Sequence, residues 1–365
     1  MPRPPEDLRR FPRAAAAASL RRMKAFAHPS QARHDPHFFL MRGRVRPNFE
    51  VPARAEALAG GLARLGITPE EPTPAPRAAV EAVHDAAYLD FLRDAPAAWG
   101  ALPEPGPEVV GNMHPTPEMI AEGARLPEGL VGQVGWYSAD TACPVGPHTY
   151  EAALGAAACA LAAAKEAASG RNAYALCRPP GHHAYAARAG GHCYVNNAAV
   201  AAQALRDAGA ARVAVLDIDS HHGNGTQGIF WSRGDVLTVS IHGDPNRYYP
   251  WFVGHAEERG AGGGAGRNLN LPLAQGSGDA PWLEAIAAGL AAIRDFGADA
   301  LVVCLGFDAS EHEPLGFLRV TEDGFARAGE AIGAAGLPAA IIQEGGYNAG
   351  VIGALLARFL GAWRG

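Results

Sequence analysis

Two aspartates and a histidine follow one apolar run of the sequence at a spacing that suits a metal ion. Asp217, Asp219 and His221 occupy positions i, i+2 and i+4, so in an extended chain their side chains point the same way. Two carboxylates and an imidazole on one face call for a cation, because unpaired like charges this close are costly. Asp308, after a later apolar run, would complete an Asp, His, Asp set with one position open for water, which is how catalytic zinc is held. A hydrogen-bonded triad without metal is the alternative.

Residues suited to proton transfer follow other apolar runs. His182 and His183 lie in a Pro/Gly turn, and two adjacent imidazoles opposite a metal site suggest proton transfer. Tyr347 follows Gly345 and Gly346, where a packed aromatic in an ordinary turn is one interpretation. A phenol that donates a hydrogen bond to a developing oxyanion is the other. Both interpretations stay open for each residue taken alone.

The elements that position these residues alternate between Ala-rich helical stretches and short β-branched runs from about residue 150 onward. This alternation predicts a doubly wound α/β fold, with a single, mostly parallel sheet, helices on both faces and long loops at the carboxyl ends of the strands. Ligands bind at those carboxyl ends, where the polar residues above are found. We predict helices at 150–169, 197–208, 282–296 and 321–335. We predict strands at 173–177, 212–217, 236–241, 300–305 and 339–342.

The N-terminal third is predicted to belong to the same domain. We predict a first strand at 24–27, a helix near 52–65 and another near 78–93. Residues 101–136 are rich in Pro, Gly and Glu with little periodicity. This composition predicts a long ordered loop beside the site or at a dimer contact.

The composition of the first 22 residues predicts where the catalytic domain begins. Residues 1–22 contain an alanine run that is too short and too weakly apolar for the core of a signal peptide. We therefore expect a disordered tail there and one catalytic domain at 23–365.

Composition and charge exclude some classes of partner. The chain has 365 residues, of which 48% are hydrophobic, and this is enough for a large buried core. Its net charge of −6 and the absence of a dense Lys/Arg run argue against a nucleic-acid partner. No stretch is long and apolar enough to cross a bilayer. Five cysteines without a CxxC pair indicate a reducing, cytoplasmic location.

Four motifs make the sequence similar to the histone deacetylase superfamily. They are RPPGHH at 178–183, DIDSHHGNG at 217–225, GFDASEHEPLG at 306–316 and EGGY at 344–347. Three softer segments resemble the bacterial acetylpolyamine amidohydrolases: RPNFEVPARAE at 46–56, IHGDP at 241–245 and HAEERGAGGGAG at 255–266. The resemblance covers nearly everything after Met23.

The resemblance implies a role for each of the chemically suited residues. Three would bind one zinc ion per chain: Asp219, His221 and Asp308. Three would be catalytic: His182, His183 and Tyr347.

Two further residues are implied to support the tandem histidines. Asp217 would back His182, and an aspartate stabilises an imidazolium and raises its pKa. Asn224 would back His183, and a neutral amide leaves that imidazole free to exchange a proton near neutral pH. We therefore expect His183 to be the general base and acid, and His182 to be its electrostatic partner.

A monovalent cation, potassium, is also implied beside the zinc ligands. Its ligands would be the side chains of Asp217 and Ser240 together with backbone carbonyls of Asp219, His221 and Ile241.

Five residues are expected to line a substrate tunnel: Gly191, His192, Tyr249, Gly345 and Gly346. His192 stands where the family usually has an aromatic tunnel wall, and Tyr249 would supply the opposite wall. An imidazole wall is more polar and could carry a charge, which would disfavour a polyamine cation nearby.

The expected function is that of a zinc-dependent amidohydrolase that removes an acetyl or other acyl group from an amine. The resemblance implies a small acetylated polyamine as substrate and a homodimer in which residues 101–136 narrow the site entrance. In the expected mechanism His183 takes a proton from the attacking water, and Tyr347 stabilises the oxyanion. The alternatives are deacetylation of acetyl-lysine in proteins and hydrolysis of another small amide.

Two rivals from other classes fit the sequence less well. An arginase-like dinuclear metallohydrolase needs additional bridging carboxylates. Ala309 and Ser310 follow Asp308, so the Asp-x-Asp pair of that family is absent. A catalytically silent binding protein would leave every filled catalytic position without a role.

Overall fold

The computed structural model describes residues 23–363, and a seven-stranded sheet lies at its centre. Its strands, together with those of a separate two-stranded hairpin, are β1 (Lys24–Phe26), β2 (Phe38–Met41), β3 (Arg44–Pro47), β4 (Ala173–Ala175), β5 (Val213–Asp217), β6 (Val236–Gly243), β7 (Asn268–Leu273), β8 (Ala300–Leu305) and β9 (Ala339–Gln343). The sheet order is β1-β4-β9-β8-β5-β6-β7, and every neighbouring pair is parallel.

Helices cover both faces of this sheet. They are α1 (Ala53–Arg64), α2 (Arg77–Glu81), α3 (Ala86–Gly100), α4 (Pro117–Ala121), α5 (Leu130–Tyr137), α6 (Thr149–Ala168), α7 (Asn197–Asp207), α8 (Asn224–Phe230), α9 (Asp279–Phe296), α10 (Glu322–Gly333) and α11 (Ile352–Ala362). Within the described residues, no helix is long and apolar enough to cross a membrane.

Two hydrophobic cores, one on each face, hold the helices against the strands. In β5, Val213 and Val215 belong to the core formed with α3, α6 and α7, and Ala214 and Leu216 belong to the core formed with α1, α9, α10 and α11. Successive strand residues point to opposite faces, so a strand covered on both sides must be apolar throughout. The predicted doubly wound α/β fold is confirmed.

Side-chain caps explain where several helices begin. Asp85 accepts a hydrogen bond from the Ala87 amide at the start of α3, and Asn196 accepts one from the Ala199 amide at the start of α7, each at 2.8 Å. Such caps satisfy backbone donors that have no partner within the helix and contribute about 1 kcal/mol each. The helix predicted near 78–93 is therefore two helices, because Asp85 starts a new one.

The segment 101–136 differs from its prediction as a loop. It contains α4 and all but the last residue of α5. The Thr116 hydroxyl accepts a hydrogen bond from the Met119 amide and so caps α4. Both helices are short, and α5 contains two glycines, so neither produces a clear helical period in the sequence.

Three strands were not predicted. The hairpin of β2 and β3 turns at Arg42 and Gly43, both with positive φ. Positive φ suits a tight hairpin turn, but arginine rarely adopts it, so the sequence gives no turn signal there. In β7 the buried positions are Asn268 and Asn270, which hide the apolar alternation of a strand. The tail predicted at 1–22 lies outside the described residues.

The first prediction concerns His84, which is buried beside the start of α7. Its Nε2 accepts a hydrogen bond from the Asn196 amide, and its Nδ1 donates one to the Ala186 carbonyl. Burial lowers the pKa of His84 to about 4. In the unfolded chain His84 binds a proton below a pH of about 6.5, whereas in the folded chain it does so only below about pH 4. The free energy of unfolding therefore falls as the pH is lowered from about 6.5 to 4. Between pH 7 and 4, the free energy of unfolding of the wild-type protein should drop by about 3 kcal/mol more than that of the His84→Gln variant.

Urea unfolding of both proteins at several pH values measures this difference. Other buried histidines affect both curves equally, so the comparison isolates His84. Parallel curves would contradict the assignment.

Candidate functional site

The predicted zinc ligands lie together beyond the carboxyl ends of two neighbouring strands. Asp219 and His221 follow β5, and Asp308 follows β8, which pairs with β5. The His221 Nδ1 atom lies 2.9 Å from Asp308 Oδ2 and 3.3 Å from Asp219 Oδ1. One ligand atom from each residue lies within 4.8 Å of the others. All three residues are buried.

Backbone amides fix the orientation of both carboxylates. The Gly345 amide donates to Asp219 Oδ2 at 2.9 Å, and the Ser220 amide donates to Asp308 Oδ1 at 2.8 Å. The other oxygen of each aspartate is turned towards His221. Outer hydrogen bonds of this kind hold ligands in place around a metal.

The electrostatics of the cluster favour positive charge at its centre. Burial disfavours a charged imidazole, yet the carboxylates of Asp308 and Asp219 outweigh it and raise the pKa of His221 to about 9. Two aspartate oxygens and one imidazole nitrogen are donors that zinc accepts in catalytic sites. The three side chains therefore fit a zinc ion.

Gly345 has to be a glycine because the backbone approaches the cluster closely there. A Cβ atom at this position would overlap the carboxylates of Asp308 and Asp219. The amide of Gly345 could then no longer reach Asp219. The glycine predicted to line the tunnel thus lies against the predicted metal ligands.

The tandem histidines have different partners. His182 Nδ1 lies 2.9 Å from Asp217 Oδ2, and His183 Nδ1 lies 2.6 Å from Asn224 Oδ1. The two rings lie 4.0 Å apart, centre to centre. An amide oxygen can only accept, so the proton of a neutral His183 lies on Nδ1 and its Nε2 keeps a free lone pair.

The two imidazoles have opposite pKa shifts. Burial opposes a charge on His182, but the carboxylates of Asp217 and Asp219 outweigh it and raise the pKa. Burial lowers the pKa of His183, and the positive charges of His182 and His221 lower it further. One imidazole is thus held charged and its neighbour neutral.

Glu344, which follows β9, holds the turn that carries the tandem histidines. Its Oε2 atom accepts hydrogen bonds from the amides of Gly181, at 2.7 Å, and His182, at 3.1 Å. Since β4 and β9 are paired, this contact joins the two loops that leave their carboxyl ends.

Arg54 of α1 fixes the loop that carries Tyr347. Its Nε donates to the Gly346 carbonyl at 2.6 Å, and its Nη2 donates to the Glu344 carbonyl at 2.7 Å. The guanidinium carbon lies 4.8 Å from the centre of the Tyr347 ring. Glu50 Oε1 in turn accepts from Arg54 Nη1 at 2.7 Å. The phenol is therefore positioned from the N-terminal part of the chain.

A carboxylate from the segment between β8 and α10 also holds the Tyr347 loop. Glu313 Oε2 accepts a hydrogen bond from the Tyr347 amide at 2.9 Å. The side chain of Glu313 is buried, and burial together with the nearby charge of Asp308 raises its pKa to about 7.

The predicted tunnel residues lie around the histidines and Tyr347. The ring of Tyr249 stands edge-on to His183, with centres 4.9 Å apart. The ring of His192 lies 5.5 Å from that of Tyr347. Burial lowers the pKa of His192 to about 4, so this imidazole is neutral at pH 7. The expectation that His192 could carry a charge is corrected by this burial.

Of the five residues predicted to hold a monovalent cation, two, Asp217 and Ser240, come together beside a small cavity in the described part of the chain, whereas Asp219, His221 and Ile241 do not line it. Asp217 is paired with Ser240 across β5 and β6. Both residues line a small cavity of about 10 Å³. This space is large enough for one water-sized occupant.

One known family covers most of the chain. The family model described as the histone deacetylase domain matches residues 48–362. The chain belongs to the histone deacetylase family. The predicted family is therefore confirmed.

Relatives within the histone deacetylase family match over nearly the whole chain. The chain is 47% identical over 343 residues to the acetylpolyamine amidohydrolase of Burkholderia pseudomallei, covering 93% of this chain and 98% of that protein. It is 42% identical over 322 residues to the acetylpolyamine amidohydrolase of Mycoplana ramosa, covering 87% and 93%.

Solved structures of the histone deacetylase family share the fold. The crystal structure of the acetylpolyamine aminohydrolase from Burkholderia pseudomallei matches with a TM-score of 0.89 at 47% identity, covering 93% of this chain and 98% of that one. The crystal structure of the HDA15 HD domain matches with a TM-score of 0.76 at 29% identity, covering 92% and 89%.

Several residues around the site were not singled out from the sequence. They are Glu50, Arg54, Asp140, Arg178, Glu313 and Glu344. Arg178 and Glu344 were noted from the sequence only as polar residues after predicted strands and were given no role, although this position is where ligand sites form. Glu344 directly follows β9, and Arg178 comes three residues after β4. Glu50 and Arg54 are four residues apart at the start of a helix, which is also the spacing of an ordinary surface ion pair.

The second prediction is that removing either of the two aspartates predicted to bind zinc abolishes tight zinc binding. Asp219→Asn and Asp308→Asn should each lower zinc affinity by more than about 100-fold, beyond the usual effect of an outer hydrogen-bond partner. Elemental analysis after dialysis against buffered free zinc measures this. Asp295→Asn, at an exposed position of α9, is the matched control. Full zinc content in either site variant would contradict the assignment.

Proposed function

We propose that this chain is a zinc-dependent amidohydrolase that removes an acetyl group from a small acetylated polyamine. The observation that carries the proposal is the meeting of Asp219, His221 and Asp308 with a pair of histidines that have opposite pKa shifts. A metal and a neutral base side by side suit the hydrolysis of an unactivated amide.

In this proposal Asp219, His221 and Asp308 hold the zinc ion. Zinc bound there supplies Lewis acidity, which polarises the acyl group and lowers the pKa of water from 15.7 towards ~7. Three protein ligands leave room for water and substrate.

His183 acts as the general base and then as the general acid. Its Nδ1 proton is held by Asn224, so the free Nε2 is the atom that takes a proton from the attacking water. The protonated imidazole then delivers this proton to the leaving amine. Positioned proton transfer of this type contributes roughly 10²–10⁴ in rate.

His182 serves as the electrostatic partner. Its ion pair with Asp217 keeps positive charge beside the reacting groups throughout the cycle. A charged neighbour disfavours early protonation of His183, which stays available as a base.

Tyr347 donates a hydrogen bond to the oxyanion of the tetrahedral intermediate. Burial raises the pKa of this phenol well above its ordinary value, and this outweighs the opposing charge of Arg54. The hydroxyl therefore stays protonated and can donate at neutral pH. Removing one such donor usually costs roughly 10²–10³ in kcat.

A second ion, potassium, is also part of the proposal, which the pairing of Asp217 with Ser240 beside a small cavity supports. The ligands in this proposal are the side chains of Asp217 and Ser240 with the carbonyls of Asp219, His221 and Ile241. A cation there would offset the negative charge of Asp217, which burial leaves with a pKa of about 6 despite its pairing with His182.

The names of the relatives support a polyamine substrate. The proteins from Burkholderia pseudomallei and Mycoplana ramosa are both called acetylpolyamine amidohydrolases. Because His192 is neutral, it does not repel an ammonium group near the tunnel. A cytoplasmic homodimer, with residues 101–136 at the entrance, completes the proposal. Exposed apolar side chains at Met113, Met119 and Ile120 in that segment suit such a contact.

The third prediction separates the substrate classes. The zinc-loaded protein should show a higher kcat/KM for acetylputrescine than for an acetyl-lysine peptide. Tyr347→Phe should lower kcat for the diamine by roughly 10²–10³. A preference for the peptide would instead indicate a lysine deacetylase, and turnover of neither would leave another small amide as the substrate.

The fourth prediction tests how Arg54 positions Tyr347. Arg54→Lys keeps the charge but replaces a fork of donors with one ammonium, so it cannot reach both carbonyls in the Glu344–Tyr347 loop. We expect kcat to fall by about 10-fold or more while zinc content is unchanged. Steady-state kinetics and elemental analysis measure the two effects. Arg294→Lys, on the exposed side of α9, is the control, and wild-type kcat in Arg54→Lys would disprove the role.

A further inference from the structure

The carboxylate of Asp140 joins two segments that are far apart in the sequence. The hydroxyl of Tyr249 donates to Asp140 Oδ2 at 2.5 Å, and the amide of Gly191 donates to the same oxygen at 3.1 Å. The other oxygen, Oδ1, accepts from the Ala142 amide at 2.8 Å. Protein donors thus contact both oxygens of this carboxylate.

Asp140 is itself held on a fixed backbone. The amide of Ala139 donates to the carbonyl of Ala189 at 2.7 Å, and the amide of Ala189 donates to the carbonyl of Tyr137 at 2.8 Å. Backbone hydrogen bonds thus join the segment at the end of α5 to the segment that precedes Gly191. A carboxylate mounted in this way can fix the position of a flexible neighbour.

Both segments that Asp140 joins lie against His183. The ring of Tyr249 stands edge-on to His183 at 4.9 Å and lies 6.0 Å from His221. Gly191 has a φ of +51°, and a Cβ atom there would overlap the His183 imidazole and approach the Tyr249 hydroxyl. A shift of either segment would therefore change the space around the proposed general base.

We propose that Asp140 is a positioning residue that clamps Tyr249 and Gly191 together and so sets the width of the substrate passage beside His183. This inference rests on the proposed function, since it names a residue that orients the proposed tunnel. Asp140 acts through its two partners and does not bind the amine of the substrate.

The chemistry of the Tyr249 hydroxyl agrees with this role. Burial, together with the charge of Asp140, raises the pKa of Tyr249 well above its ordinary value. The phenol remains a donor at neutral pH, and a hydrogen bond from a phenol to a carboxylate is short and strong.

A double-mutant cycle tests the clamp. Asp140→Asn and Tyr249→Phe should each lower kcat/KM by about 10-fold. The double variant should lose no more activity than the more damaging single variant, because both changes disrupt the hydrogen bond between the Tyr249 hydroxyl and the Asp140 carboxylate. Asp295→Asn is the matched control for loss of a carboxylate. Losses that multiply in the double variant would show independent roles and overturn the proposal.

The choice of substrate distinguishes positioning from charge recognition. A clamp should affect acetylputrescine, which carries an ammonium, and N-butylacetamide, which is neutral, by the same factor. A loss for Asp140→Asn that is confined to acetylputrescine would identify Asp140 as a cation-binding residue and overturn the clamp.

Hydrogen exchange gives a readout that does not depend on turnover. In Asp140→Asn an amide replaces one carboxylate oxygen, and the hydrogen bond from the Gly191 amide is weakened. We expect mass spectrometry to show at least about 10-fold faster exchange in a peptide spanning 189–193, with peptides of β8 unchanged. Unchanged exchange at 189–193 would overturn the clamp even if the protein were active. Faster exchange without turnover of any amide would support the clamp and count against the proposed function alone.

Discussion

Buried negative charge at the carboxyl ends of β5 and β8 is the constraint on which the rest of the site depends. Asp217, Asp219 and Asp308 are each at most 3% exposed, and carboxylates removed from water must be neutralised or protonated. The fold brings them together because β5 and β8 are neighbours whose ends meet at one edge of the sheet. The imidazoles of His182 and His221 neutralise part of this negative charge, and the proposed cations would neutralise the remainder. The roles proposed for the two histidines follow from how this charge is shared.

A second set of buried charges, formed by Glu50, Arg54 and Arg178, contacts the loop that carries Tyr347. Glu50 forms ion pairs with the guanidiniums of both Arg54 and Arg178, and all three side chains are almost fully buried. Replacing one member of such a set leaves an unpaired charge in the core, which typically costs about 3–5 kcal/mol. Arg54 also contacts the loop of Tyr347, so these charges connect stability to the geometry of the site. The N-terminal segment thus takes part in building the site, although the predicted metal and catalytic residues all come from the second half of the chain.

The sequence predicted the parts of the site that follow parallel strands, because residues at i, i+2 and i+4 reveal a shared face without any knowledge of distant segments. Asp219 and His221 were predicted in this way, Asp308 was predicted because it follows a later apolar run, and the pairing of β5 with β8 brings the three together. Asp140 and Glu313 were not predicted, because each accepts hydrogen bonds from a backbone amide or a hydroxyl that is distant in the sequence. The local sequence pattern does not reveal such a contact. The hairpin of β2 and β3 was not predicted for another reason. Its turn places Arg42 at a positive φ, which arginine seldom adopts, so the sequence contains no recognisable turn residue there. The two short helices within segment 101–136 were not predicted, because they are too short for a helical period to appear in the sequence.

The contact between Arg54 and Gly346 has a consequence for the order in which the protein can form during synthesis. These residues are 292 positions apart. Chains emerge from the ribosome N-terminus first, at roughly 5–20 residues per second, so Arg54 waits about 15–60 s for its carbonyl partners. During this interval the first half of the protein holds a guanidinium without its final acceptors. A nascent chain that ends before β9 lacks the Glu344 and Gly346 carbonyls, so the contacts that hold the Tyr347 loop can form only after almost the whole chain has been made.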